Sequence, residues 1–238
     1  MPRINGRTSP LIDVSQRWNR DFMRQAAQTR RGPGRPRDAE LTERRRREIL
    51  EAATRKFAET GFAATDVQFI ADELQIGKGT VYRYFPSKED LFLAAVDQGM
   101  QQLKIAIDQA AEQAGTAIQR VDFAVRAYLE YFDRHPDVIE LVMQERSSFR
   151  DRPRPTYFVY RDANLGPWRE LFQQLIDDGV VRDVPVERII EVIADLLYGT
   201  IFTNHFAGRK KSLASQCEDV LDILFHGLLI KRKRGAHA

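Results

Sequence analysis

Cysteine is nearly absent from this chain of 238 residues, in which Cys217 is the only one. One cysteine cannot close an intramolecular disulfide or supply the thiolates of a cysteine-based zinc site, so a reducing compartment is expected. Long apolar runs are missing too: none approaches the ~18–20 residues that cross a membrane, and the N-terminus lacks the apolar segment of a signal peptide. These absences together predict a cytoplasmic protein.

The patterns that mark most catalytic sites are also missing. The histidines lack the paired spacing of metal ligands; they are His135, His205, His226 and His237. Gly77-Lys78-Gly79 lacks the upstream glycine and the strand that a phosphate-binding loop requires, and neither a nucleophile elbow nor a dinucleotide-binding glycine pattern occurs. The sequence therefore predicts no enzymatic activity, no metal site and no cofactor.

Lysine is absent from the first 47 residues, which hold 13 arginines and 5 acidic residues. The rest of the chain holds 24 basic and 29 acidic residues, so the net charge of +3 hides a basic N-terminal segment. Because this segment has few apolar residues, we predict a mostly disordered basic arm over residues 1–40.

The arm contains one short motif. Gly34-Arg35-Pro36, flanked by arginines, resembles the core of an AT-hook, which lays arginines along a narrow A·T minor groove. Arg35 and Arg37 are therefore candidates for contact with the minor groove. The alternative is a solvated basic tail that adds only non-specific affinity for DNA.

Residues 65–85 predict two short helices joined by a tight turn. Thr65 is the candidate N-cap of the first helix, and Gln68 stands three residues on, as in a capping box. Apolar residues at helical spacing form the inward face of this helix. The turn falls at Gln75-Ile76-Gly77.

The second helix, Lys78–Tyr84, is barely two turns long and ends before Pro86. Val81 and Phe85 face inward at helical spacing. The side chains left outside are polar or aromatic: Lys78, Thr80, Tyr82, Arg83 and Tyr84. So short a helix with that outer face suits entry into the major groove of DNA, whereas the alternative is an αα-hairpin with a merely polar face.

A third helix begins after the proline. Ser87 and Asp90 form a capping box that places Lys88 in the first turn of this helix. A lysine there opposes the helix macrodipole unless an anion lies nearby, and DNA phosphate is such an anion.

Three segments resemble the TetR family of bacterial transcriptional regulators: Ile70-Ala-x-x-Leu74, Gly77-Lys-Gly-Thr-Val-Tyr-Arg-Tyr-Phe85 and Ser87-Lys-x-x-Leu91. The resemblance covers roughly residues 44–95, with a first helix at Arg45–Thr60. It implies base-edge or groove contacts for Gln68, Lys78, Gly79, Thr80 and Arg83, and phosphate contacts for Tyr82, Tyr84 and Lys88. Arg83 is the base-specific candidate, because a guanidinium group pairs bidentately with guanine O6 and N7.

Every later segment has helical periodicity, so we predict an all-α protein with an N-terminal three-helix helix-turn-helix domain and a larger C-terminal helical domain. The first helix has Thr42 as its candidate N-cap and Gly61 as the αL residue at its end. Later helices are expected at approximately residues 87–115, 117–134, 136–149, 156–178, 186–207 and 212–231.

The last two predicted helices are apolar on more than one face, so one face can serve the subunit core and the other a partner. The family resemblance implies that both helices pair with their copies in a four-helix bundle about a two-fold axis. The expected interface residues are Ile193, Leu197, Leu221, Leu224 and Leu228. The alternative is burial within a monomer.

Aromatic residues are frequent in the larger domain, where they either fill the core or line a cavity for an apolar ligand. The resemblance implies one effector pocket in each subunit. The candidate lining residues are Tyr128, Phe132, Met143, Trp168, Tyr198 and Phe202.

These expectations combine into a homodimeric, ligand-responsive transcriptional regulator, a repressor released from a palindromic operator in double-stranded DNA by a small apolar or aromatic effector. Its parts would be a basic arm (1–40), a helix-turn-helix domain (41–90), a ligand-binding and dimerisation domain (91–231) and a basic tail (232–238). The alternative is an architectural protein that binds A·T-rich DNA without a ligand.

Overall fold

The computed structural model describes residues 36–208 and 211–229. The chain divides into two compact units, residues 1–45 and Arg46–Ala238. In the first unit only the start of the first helix is described, so the architecture below is that of the second. Arg35 and the basic tail lie outside the described residues, as does the side chain of Arg37.

The regular structure of the described residues is α-helical, apart from one antiparallel bridge between Val181 and Leu229. The helices are α1 (Pro36–Ala64), α2 (Val67–Glu73), α3 (Lys78–Tyr84), α4 (Lys88–Glu112), α5 (Ala117–Arg134), α6 (Pro136–Ser148), α7 (Thr156–Ala163), α8 (Gly166–Asp177), α9 (Val186–Ala207) and α10 (Leu213–Leu228). The predicted all-α class is confirmed. None of these helices combines the length and the apolar character needed to span a membrane.

The first helix differs from its prediction at both ends. It begins at Pro36, so Thr42 lies within the helix and is not its N-cap, and residues 36–40 are helical rather than part of a disordered arm. Proline suits a helix start because the first N–H groups have no intrahelical partner there. At Gly61 φ is 81° and ψ is 154°, a pair of angles nearly restricted to glycine, so this residue makes a kink rather than an αL end.

The single helix predicted for residues 156–178 is divided into α7 and α8. The break falls at Asn164 and Leu165, and Pro167 occupies the first turn of α8. A proline in mid-helix would remove one hydrogen bond and clash with the preceding turn, so the chain starts a new helix there instead. The other boundaries match closely, and α5 has the side chain of Thr116 as its N-cap.

We call residues 46–85 the head and residues 88–229 the body. The two meet at a cluster of aromatic rings, the junction cluster, formed by Phe57, Phe62, Phe92 and Phe149. The ring centroids of Phe57 and Phe92 lie 5.1 Å apart in an edge-to-face arrangement, and both side chains are fully buried. Helix α4 leaves this cluster and packs along α5, α6 and α7, so it joins the head to the interior of the body.

Candidate DNA interface and internal cavity

Helix α2 of the head is capped by Asp66 and not by Thr65, which corrects the predicted cap. The Asp66 carboxylate accepts hydrogen bonds from Gln68 N at 2.8 Å and from Lys78 Nζ at 2.7 Å. The backbone bond from Gln68 and then the bond from Lys78 lower the pKa of Asp66. Thr65 is buried, and its hydroxyl donates to the carbonyl oxygen of Gly61 at 2.7 Å.

The turn and helix α3 form as predicted. Gln75 has a φ of 54°, which reverses the chain between the two helices. Val81 and Phe85 are buried, while Tyr82 and Arg83 are exposed on the outer face. Tyr84 is half-buried, and its ring centroid lies 5.6 Å from the Arg83 guanidinium. The outer face of α3 therefore presents one exposed arginine beside tyrosines.

The fold itself does not require glycine at position 79. A Cβ atom built on Gly79 meets nothing within 4 Å, and its φ is not positive. Gly79 lies on α3 with Lys78 and Thr80, both half-buried, on either side. A position without a side chain on this surface permits another molecule to approach the backbone closely.

Lys88 lies at the start of α4, and its charge has partners inside the protein. Its Nζ donates to the carbonyl oxygens of Ala63 at 3.2 Å and Thr65 at 3.1 Å, and it lies 4.7 Å from the centroid of the Phe62 ring. These carbonyls end helix α1, whose dipole favours a cation. Lys88 thus joins α4 to the end of α1 through two hydrogen bonds. The position of Lys88 in the first turn of α4 did not predict this tertiary contact.

The body encloses a cavity of about 480 Å³ between α4, α5, α7, α8 and α9. Its inner wall includes Met100, Leu103, Tyr128, Tyr157 and Phe172, all of which are buried. Charged side chains stand at its solvent-exposed end: Lys104, Asp108, Glu112 and Arg120. A cavity of this size and largely apolar lining is typical of a small-molecule binding site.

Two of the six predicted pocket residues, Tyr128 and Trp168, line the cavity. The other four do not: Phe132, Met143, Tyr198 and Phe202. Phe132 packs in the core against Tyr128, with ring centroids 5.1 Å apart. Tyr198 lies behind the wall, 4.9 Å from the Tyr157 ring, and stacks on Phe202 at 4.3 Å. Aromatic content alone did not distinguish the wall from the layer behind it.

Three tyrosines from α5 and α7 line the cavity: Tyr128, Tyr157 and Tyr160. The hydroxyls of Tyr128 and Tyr157 are hydrogen-bonded to each other at 2.9 Å. Tyr160 donates to Asp97 Oδ1 on α4 at 2.7 Å, and burial raises the pKa of Asp97. The wall is thus hydrogen-bonded to α4, the helix that contacts the head through Phe92 in the junction cluster.

The predicted interface residues are mostly inside the subunit. Leu197, Leu221 and Leu224 are buried in its own core, so their assignment to a partner-facing surface is wrong. Ile193 is half-buried and lines the cavity, and its place at an interface stays a prediction. Leu228 is half-buried. The exposed apolar residues of α9 and α10 are instead Val192, Leu196, Phe206 and Ile223. Both faces of these helices are apolar, and helical periodicity does not predict which face packs into the core.

Comparison with known proteins agrees with this geometry. The family model described as bacterial regulatory proteins, tetR family, matches residues 49–95. The HTH-type transcriptional repressor KstR of Mycolicibacterium smegmatis is 31% identical over 165 residues, which cover 66% of this chain and 75% of that protein. This chain belongs to the TetR family.

Two solved structures share the fold of this TetR-family chain. The ketosteroid transcriptional regulator KstR2 of Mycobacterium tuberculosis superimposes with a TM-score of 0.60 at 22% identity, covering 79% of this chain and 96% of that one. FadR from Bacillus subtilis in complex with stearoyl-CoA gives a TM-score of 0.62 at 19% identity, covering 76% and 97%. At such identities the likeness concerns the fold alone.

A second contact between head and body lies beyond the segment that the TetR family model matches. The Gln144 side chain on α6 donates to the carbonyl oxygen of Phe57 and accepts from the N–H of Phe62, both at 2.9 Å. These two backbone groups flank the Gly61 kink. Gln144 also donates to Glu140 at 3.0 Å, and Glu140 lies 3.2 Å from His205 on α9. A polar chain thus connects α9 to the end of α1.

Proposed function

We propose that this TetR-family chain is a homodimeric repressor that binds a palindromic operator and is released from it by a small apolar or amphipathic effector. The observation that supports this most is the course of α4. Its first turns pack in the junction cluster through Phe92, and its later turns, from Met100 to Glu112, line the cavity. One rigid helix therefore contacts both the DNA-binding head and the effector site.

Binding to DNA is assigned to the outer face of α3, inserted in the major groove. Arg83 reads a base edge, Gly79 lets the backbone approach, and Gln68, Lys78 and Thr80 are assigned to further contacts in the groove. Tyr82, Tyr84 and Lys88 are assigned to phosphates. Lys88 keeps two of its three donors on carbonyl oxygens, so at most one is free for phosphate.

Dimerisation is assigned to the exposed apolar residues of α9 and α10. Val192 is 60% exposed, Phe206 72% and Ile223 69%, and these two helices hold four of the exposed large apolar side chains of the described residues. Two heads related by a two-fold axis can engage half-sites ~34–36 Å apart, one turn of DNA. Effector release then requires that the ligand bind the DNA-incompetent dimer more tightly than the DNA-bound one.

The relatives suggest effectors with which to test this proposal. KstR2 is a ketosteroid regulator and FadR binds stearoyl-CoA. A footprint on the DNA flanking the chain's own gene, repeated with a ketosteroid and with stearoyl-CoA, should show a discrete protected palindrome that one of them removes. Even coating of A·T-rich DNA, insensitive to both compounds, would instead support the architectural alternative.

Replacement of Arg83 by alanine is expected to cost ~1–3 kcal/mol of operator binding and to relax the preference at one base pair in each half-site. The control is Arg134→Ala, which removes an exposed arginine of α5 paired with Glu130. Affinities for operators substituted at each position would be compared by mobility shift. If discrimination survives at every position, Arg83 contacts only the DNA backbone.

The arginine-rich arm gives a separate prediction. If Arg35 enters a narrow minor groove beside the operator, Arg35→Ala should weaken binding more for A·T-rich than for G·C-rich flanks, because narrow grooves have the stronger negative potential. Two synthetic duplexes that differ only in their flanks are sufficient for the titration. Equal losses on both duplexes would mean that the arginine acts as a diffuse cation.

A further inference from the structure

The cavity lining is mainly apolar, with tyrosines at its buried end and exposed charged side chains along α4. Along α4, Met100 and Glu112 mark its buried and exposed ends, a span of ~18 Å at the helical rise of ~1.5 Å per residue. On α5, Tyr128 lies at the buried end and Arg120 at the exposed end. Apolar side chains, including Leu103, Val125 and Leu171, occupy the length between. The lining is therefore elongated, and Tyr128 and Tyr157 at one end of it are buried.

The Tyr128–Tyr157 pair has one more hydrogen to donate than its own bond uses. Burial raises the pKa of Tyr157 to about 12 and that of Tyr128 well above its usual value, so both hydroxyls are protonated at neutral pH. Two O–H groups joined by one hydrogen bond leave one hydrogen without an acceptor. Among the described residues neither hydroxyl has another hydrogen-bond partner. Each hydroxyl thus has a partner in the other, and the remaining hydrogen is available to a further acceptor.

A positive charge lies near the same hydroxyls. Arg161 lines the cavity and acts electrostatically to lower the pKa of both tyrosines, against the larger effect of burial. Its Nε donates to Asp162 Oδ1 at 2.9 Å, but that carboxylate also pairs with Arg154. Two arginines thus share this carboxylate, while Asp195 acts on Tyr157 in the opposite sense to Arg161 and raises its pKa.

We propose that the cavity takes an elongated, mainly apolar ligand whose buried end bears an oxygen acceptor, and that the Tyr128–Tyr157 pair donates a hydrogen bond to that oxygen. The acceptor is a carbonyl or carboxylate oxygen, since either accepts from a hydroxyl and is favoured beside a cation. The charged residues at the open end suit a polar group at the other end of the ligand. This inference rests on the proposed function only in regarding the cavity as the effector site.

The test uses three probes of matched chain length: dodecane, methyl decyl ketone and laurate. Each displaces the fluorescent reporter anilinonaphthalene sulfonate from the full-length protein without DNA. In the unmodified protein the ketone and laurate are expected to bind about tenfold more tightly than dodecane, the effect of satisfying one buried donor. A protein that binds dodecane as tightly as the oxygenated probes, or binds none of them, overturns the proposal.

The decisive variant is the double replacement Tyr128→Phe and Tyr157→Phe. Replacing both partners leaves no buried hydroxyl unsatisfied, so the fold should tolerate the change better than a single replacement. The tenfold preference for the ketone should vanish while dodecane binding is unchanged. The matched control is Tyr131→Phe, which removes a buried hydroxyl that donates to Gly99 O at 2.8 Å outside the cavity and should leave all three affinities unchanged. If the double variant still prefers the ketone to dodecane, the tyrosine pair only packs in the core and does not bind the ligand.

Arg161→Gln separates the two sources of the oxygen. A larger loss for laurate than for the ketone assigns a carboxylate ligand, and equal losses assign a carbonyl. Operator binding is measured separately by mobility shift, so the two proposals fail independently. Oxygen preference without DNA binding would contradict the proposed function only, and DNA binding without oxygen preference would contradict this inference only.

Discussion

Replacement of Val192 or Ile223 by glutamate is expected to convert the proposed dimer into a monomer and to weaken binding to the proposed operator about a hundredfold or more. The two side chains are exposed on α9 and α10, so glutamate is harmless to the isolated subunit. At an apolar interface the same group would be a buried charge without a partner, which is too costly to keep. A monomer engages only one half-site and loses the gain in effective concentration that comes from linking two heads.

Sedimentation velocity would measure the oligomeric state, and mobility shift the operator affinity. The control is Ile105→Glu, which places the same charge at an exposed apolar residue of α4. It should leave the dimer and the affinity unchanged. Leu224→Glu cannot serve, since Leu224 is buried in the subunit and its replacement would disturb the fold itself. Dimers that persist in both the Val192 and Ile223 variants would move the interface to another surface.

The contrast between Leu224 and Ile223 shows what helical periodicity can and cannot predict. The pattern correctly indicated that α10 is apolar on two faces. Gly208 is the C-cap of α9, and Ser212 is the N-cap of α10. Which face enters the core depends on how α9 and α10 rotate against α5 and α6, and that is decided by long-range packing. Residues on the inner face were therefore assigned to the partner.

Local sequence signals predicted the structure of the head more accurately than that of the body. The turn at Gln75 and the two-turn helix α3 were predicted from residues a few positions apart, and both are confirmed. Just after the head, Ser87 caps α4 as predicted, with its hydroxyl accepting from Asp90 N and donating to the Asp90 carboxylate. The exception is the cap of α2. Thr65 and Asp66 are adjacent and both can cap a helix. Burial of Thr65 against the end of α1, a tertiary contact, leaves Asp66 as the cap.

The cavity was the hardest part to predict because its members share no local pattern. Tyr157 and Arg161 lie on α7, a helix whose separation from α8 depends on Pro167. Tyr128 is on α5, and its hydroxyl meets Tyr157 only in the folded chain. The family resemblance implied an effector pocket, and two of the six residues predicted for it, Tyr128 and Trp168, line the cavity. It did not separate wall residues from those that pack behind them, such as Tyr198.

The contact made by Gln144 is likewise invisible in the sequence, since its partners lie more than 80 residues away on α1. Gln144 is half-buried and bridges the backbone on both sides of Gly61, next to the junction cluster. A glycine with a φ of 81° is a natural point for α1 to change direction. Because two hydrogen bonds join α6 to the base of the head, we expect a shift of α6 to move the head with it.

Gln144→Leu is accordingly expected to leave operator binding within a few-fold of the unmodified protein while removing most of the effector response. Leucine keeps the volume but makes neither hydrogen bond, so the head remains on the junction cluster without following α6. In the unmodified protein the effector should lower operator affinity by a factor typical of coupled sites, about 5–150-fold, and in the variant this factor should fall toward one. Mobility shift with and without the probe that best displaces the reporter measures both quantities.

The control for that experiment is Ser147→Ala, one turn further along α6, whose hydroxyl donates to the Gln144 carbonyl at 3.0 Å and touches nothing in the head. Thermal unfolding of both variants checks that the body is intact, since losing the two bonds should cost ~1–3 kcal/mol because the backbone groups are left unpaired. Reporter displacement must also be unchanged, because Gln144 lies outside the cavity wall. Normal release of DNA by the Gln144 variant would show that α4, which joins cavity and head through Met100 and Phe92, conveys the signal without α6.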